Sequence, residues 1–234
     1  MSADLERRGW RSERAPAATQ PLATVDLYWL PLGAGGHFVR FSGRIFEWLA
    51  AQLARRDRCD LYHSALEVRA PEGDFVIEQA PVRPRDGVER GVVAGGAVGV
   101  RTAGRFQLFR YEVRRWHNGN IPDVAEAVES PQRLSSDPQC ARRILDLVPH
   151  VPTPVWGRDE LHAGEMWNSN SIISWLITRS GLSVDAVHPP ARGRAPGWHA
   201  GIAIARRQEA RQSWPFLTSV DERERSGVPA GPVA

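Results

Sequence analysis

The run LYHSALEVRAPEGDFVIEQAP, residues 61–81, constrains the fold more than any other stretch of the chain. Two strand-like segments, 61–69 and 75–80, are rich in β-branched and aromatic residues and flank APEGD. Pro, Glu, Gly and Asp in that order are turn chemistry, so the sequence predicts a β-hairpin. Further strands are expected at 25–30 (VDLYWL), 106–115 (FQLFRYEVRR) and 198–205 (WHAGIAIA). In the second of these, Phe109, Tyr111 and Val113 share one face while Arg110, Glu112 and Arg114 share the other. The loop PLGAGGH at 31–37 lacks the remaining residues of a phosphate-binding motif and reads as a turn. The Pro-, Arg- and Gly-rich stretch 82–104 reads as a long loop.

Helical spacing appears in other places. Ile45, Trp48, Leu49 and Leu53 mark an amphipathic helix over 44–56. Asp137 is a natural N-cap, with Pro138 at the first helical position and Ile144, Leu145 and Val148 as core face. A short helix is expected within 122–129. Another helix runs to about Ile177 and is entered through NSNS, residues 168–171. Ser and Asn are favoured N-caps, so this segment serves as a cap whatever else it does. RRQEARQSW, after Ala205, reads as a helical turn or two. One strand, a helix, several antiparallel strands and then helices make an α+β protein.

A chain of 234 residues suits a single domain. Residues 1–22 are polar and Arg-rich and read as disordered; 23–206 form the domain; 207–234 read as a partly disordered tail. The N-terminus lacks the apolar segment of a signal sequence, and no apolar run is long enough to span a bilayer, so a cytoplasmic protein without a transmembrane segment is expected. Net charge is +3, with every basic side chain an Arg, and the charges are mixed in sign along the chain. No basic stripe interleaved with aromatics is present, so no nucleic-acid partner is expected. Cys59 and Cys140 lack metal-type spacing, and Cys140 falls on a helical core face. HAGE, residues 162–165, is not a zinc-protease motif, and no metal or other cofactor is expected. Of nine Trp residues, Trp29, Trp48 and Trp175 lie in apolar segments, while Trp116, Trp156, Trp167 and Trp198 adjoin loops and can line a cleft.

Nucleophilic catalysis needs a hydroxyl or thiol, a base within reach and a group that orients the base. Ser169 lies at a helix start, where unpaired N–H groups favour a developing anion. His63 sits on the first strand of the hairpin. Glu78 sits on the second, and hairpin register decides whether it faces the same side. The hairpin HSALEVRAPEGDFVIEQAP, followed by NSNSI at a helix start, resembles the circularly permuted papain-like proteins, the NlpC/P60 and lecithin:retinol acyltransferase-like families. That resemblance implies a permuted papain-like fold, with an antiparallel sheet packed against helices. It implies His63 as base, Glu78 as orienting residue and Ser169 at the nucleophile position, with Asn168 and Asn170 supporting the oxyanion. The implied activity is a hydrolase or acyltransferase acting on amide, peptide or acyl-ester bonds of a small-molecule or peptide substrate. Two residues depart from the family pattern: Ser replaces Cys as nucleophile, and Glu replaces a third-position His. Ser is far harder to ionise than Cys, so the alternative is an inactive papain-like domain that binds a peptide, lipid or protein partner. WHAGIAIA also resembles the His strand of unpermuted NlpC/P60 enzymes, which makes His199 the alternative base.

Overall fold

The computed structural model describes residues 23–32, 60–82, 88–191 and 193–226, with side chains of the last stretch described as far as Gln212. The N-terminal segment 1–22, the amphipathic segment 44–56 and Cys59 lie outside these residues.

Strands β1 (Thr24–Pro31), β2 (Asp60–Ala70), β3 (Gly73–Pro81), β4 (Val92–Ala97), β5 (Arg110–His117) and β6 (Val128–Ser135) form an antiparallel sheet in the order β4-β5-β3-β2-β1-β6. A two-residue strand, β7 (Gly193–Arg194), adds in parallel to the start of β2. Three α-helices follow the main strands: α1 (Pro138–Leu147), α2 (Ser169–Arg179) and α3 (Trp198–Ser226). The protein is therefore α+β. The hairpin forms as the sequence predicts, with Leu66 opposite Ile77 and Ala70 opposite Gly73.

Side chains alternate across a strand, so register sorts them onto two faces. Val25, Leu27 and Trp29 of β1 share a face with Tyr62, Leu66 and Val68 of β2 and with Tyr111 and Val113 of β5. They form one core with Ile144 of α1 and Ile172, Ile173 and Leu176 of α2. Each such fully buried aliphatic side chain contributes on the order of 2 kcal/mol. The intervening residues Leu30, Ala65 and Val76 gather with Ile121 into a smaller cluster on the opposite face.

Asp137 caps α1 as the sequence predicts, accepting from the backbone N–H groups of Gln139 and Cys140. Cys140 is buried on that helix and unpaired. Other expectations need correction. Within the supposed loop 82–104, residues 92–97 form β4. Its glycines are required for the close approach to β5, since a Cβ on Gly95 would lie 2.7 Å from the Tyr111 carbonyl oxygen. Phe109 ends a short 3-10 turn and is exposed, so β5 begins at Arg110, four residues after the expected start at Phe106. Arg114, read as part of a polar face, is fully buried because Glu78 and Glu112 both pair with it. Residues 124–126 make one 3-10 turn, and the chain then enters β6.

The largest correction is WHAGIAIA, which begins α3 instead of forming a strand. Its small residues serve a helix–helix contact. A Cβ on Gly201 would overlap the Ser171 carbonyl oxygen and the Ser174 hydroxyl of α2. The helix also continues where the sequence reads as a tail. Gln208 accepts from the Trp175 indole at 2.8 Å, and Gln212 accepts from Arg179 at 3.2 Å.

Candidate functional site

The first turn of α2 lies against β2 and the loop that precedes α3. Asn168 is the N-cap, and its Oδ1 accepts from the backbone N–H groups of Asn170 at 2.9 Å and Ser171 at 3.3 Å. Ser171 completes a capping box by accepting from the Asn168 N–H at 3.1 Å. Asn170 then joins three parts of the chain. Its Nδ2 donates to the carbonyl oxygens of Tyr62 (3.0 Å) and Pro196 (2.9 Å), and its Oδ1 accepts from the Ser64 hydroxyl (2.9 Å). Asn168 also donates to Pro196, while Ser171 and Ser174 donate to the carbonyls of Gly197 and Trp198. The polar segment is a clasp that fastens α2 to β2 and to the start of α3.

This geometry bears on each expected site residue. Ser169 is the first residue of α2, buried at its N-terminus, and its hydroxyl makes no hydrogen bond among the described residues. Asn170 is not free to hold an oxyanion, because its amide donates to both Tyr62 and Pro196, while Asn168 commits one of its two N–H groups to Pro196. The N–H groups of Asn170 and Ser171 are likewise taken by the cap.

His63 lies between Tyr62 and Ser64 on a strand without a bulge, paired with Leu30. Its neighbours face α2, so strand alternation turns the imidazole to the opposite face. The β2 side chain that bonds the first turn of α2 is Ser64. Burial pushes the His63 imidazole down to about 4, which keeps it neutral near pH 7. Glu78 shares the face of Val76 and hence of His63, but its carboxylate is held by the Arg114 guanidinium at 2.6 Å. Around Ser64, a short row of polar groups lacks partners. The Trp29 indole N–H, on the residue paired with Ser64, is buried and unpaired among the described residues. So are both amide atoms of Gln79, which follows Ile77 by two residues on the same face.

His199 sits in the first turn of α3 and is exposed. It lines an open groove of about 340 Å3 beside α3, together with Glu165, Asp185, His188, Arg194 and Arg206. Ser169 is not among the groove residues, so His199 and Ser169 are not brought together there. Trp198 forms part of the wall, and its ring lies 5.0 Å from that of Trp29. Arg206 is paired with Asp185 at 3.2 Å. Glu165 and Arg194 have no ion-pair partner among the described residues, and the Glu165 Oε2 atom is buried without a hydrogen bond. Sequence reasoning missed this groove because its residues come from a loop and from a segment that reads as a strand.

Among the described residues, no group of three His, Cys, Asp or Glu side chains is placed to hold a metal ion. Among the described residues, no helix is long and apolar enough to cross a membrane. Compared with models of protein families, with curated proteins and with solved structures, the chain matches none.

Proposed function

We propose that this domain binds a ligand without turning it over through a Ser-His-Glu route, as an inactive relative of the papain-like proteins would. The observation that carries the reading is strand parity on β2: Ser64 bonds Asn170, so His63 points away from Ser169. A serine hydroxyl needs a base within hydrogen-bond reach to attack a carbonyl. The saturated amide of Asn170 argues the same way, because both its N–H groups are donated to Tyr62 and Pro196 and an oxyanion hole needs free donors. Binding needs only a cleft, and the groove beside α3 provides one of the size that small ligands or a peptide side chain fill.

One observation favours the hydrolase or acyltransferase reading. Ser169 alone in NSNS keeps its hydroxyl unbonded, at a helix N-terminus. A fluorophosphonate probe followed by intact mass separates the two. The binding reading predicts no adduct on the folded wild-type protein. A single adduct at Ser169, lost in His63→Ala, supports the hydrolase and overturns the binding reading.

A further inference from the structure

We propose that the groove beside α3 binds a ligand carrying a cationic nitrogen and a carboxylate, with the cation against Glu165 and the carboxylate against Arg194. The proposal rests on the binding reading above and gives it a ligand class. Two carboxylate and two guanidinium side chains line the groove: Glu165, Asp185, Arg194 and Arg206. Asp185 and Arg206 satisfy each other. The remaining two do not pair across the groove. A carboxylate oxygen buried without a donor is costly, and a ligand ammonium or guanidinium removes that cost. Arg194 lines the groove and is exposed, and its planar fork suits a carboxylate. His188 and His199 add imidazole groups to the lining. Val184, Val187 and Ile202 offer apolar wall for an aliphatic stem. A basic amino acid, free or at the end of a peptide, has this chemistry.

The test titrates the full-length 15N-labelled chain with L-arginine, agmatine and propionate, following backbone amides by NMR. L-Arginine is expected to shift the amides of Arg194, His199 and their neighbours saturably. Agmatine, which lacks the carboxylate, should bind several-fold more weakly, and propionate more weakly still. Glu165→Gln should weaken L-arginine by about tenfold, the worth of one charge-assisted hydrogen bond. Arg194→Gln should bring L-arginine down to the level of agmatine. Both substitutions replace unpaired side chains, and a native amide spectrum verifies each fold. Absence of saturable shifts with L-arginine, or an affinity unchanged in Glu165→Gln, overturns the proposal. If Ser169 remains unlabelled by fluorophosphonate in the same preparation, the binding reading survives that failure. A labelled Ser169 removes the reading itself.

Discussion

The two helix starts that meet at Pro196 and Gly197 are chemically opposite. At the start of α2, short neutral side chains answer one another and the backbone, and the Ser169 hydroxyl has no partner among the described residues. Beside the start of α3, acidic and basic side chains line an open groove, and Glu165 and Arg194 lack ion-pair partners among the described residues. A polar cluster that satisfies itself fixes a fold, whereas one that does not has capacity for a ligand. The segment that looks reactive in sequence is the structural one, and the unremarked loop holds the unmet charges.

The strongest way to break this comparison is to remove the centre of the clasp. Asn170→Ala deletes the bonds to Tyr62, Pro196 and Ser64 and leaves buried polar groups unanswered. A loss of about 3 kcal/mol in chemical denaturation is expected. A loss below about 0.5 kcal/mol means that the clasp does not hold the fold.

The other face of β2 gives the next effect. The His63 imidazole is held at about 4 when folded, against the ordinary value of about 6.5 when unfolded. The unfolded chain therefore binds more protons between these values. The stability that neutral His63 contributes is complete above pH 6.5 and is lost as pH falls towards 4. Denaturation midpoints of wild type and His63→Phe should diverge across that window, with about 2–3 kcal/mol of extra acid sensitivity in the wild type. Parallel pH profiles would place the His63 imidazole in water.

Part of this arrangement was legible in the sequence. The hairpin, the Asp137 cap and NSNS as a helix start all follow from local chemistry, because turns and caps are decided within a few residues. Side-chain parity at His63 was not legible, since it depends on which face of β2 the helices cover, a tertiary fact. WHAGIAIA misleads for a related reason. Its alternation of small and apolar residues mimics a strand, while the small ones are there to let α3 approach Ser171 and Ser174. Gly95 and Gly96 hide β4 in the same way, through a need for closeness that composition presents as looseness. The Arg114 network was unreadable because charge on a strand suggests solvent until Glu78 and Glu112 are seen beside it.

A smaller effect sharpens the comparison within NSNS itself. Ser171→Ala removes a capping-box partner and a bond to Gly197, and about 1–2 kcal/mol should be lost. Ser169→Ala removes a hydroxyl without a partner, and a change within about 0.5 kcal/mol is expected. Equal losses at the two positions would mean that Ser169 belongs to the clasp after all.

The most direct measurement places a thiol at position 169, in place of the Ser169 hydroxyl. In a Cys59→Ser background, Ser169→Cys is alkylated with iodoacetamide across pH, and peptide mapping separates it from buried Cys140. A neighbouring imidazolium would lower a thiol far below its ordinary value of about 8.5. With His63 on the opposite face and the Asn170 and Ser171 N–H groups capped, an inflexion no lower than about 8 is expected. An inflexion below about 6 that disappears in His63→Ala would contradict it and restore the catalytic pair.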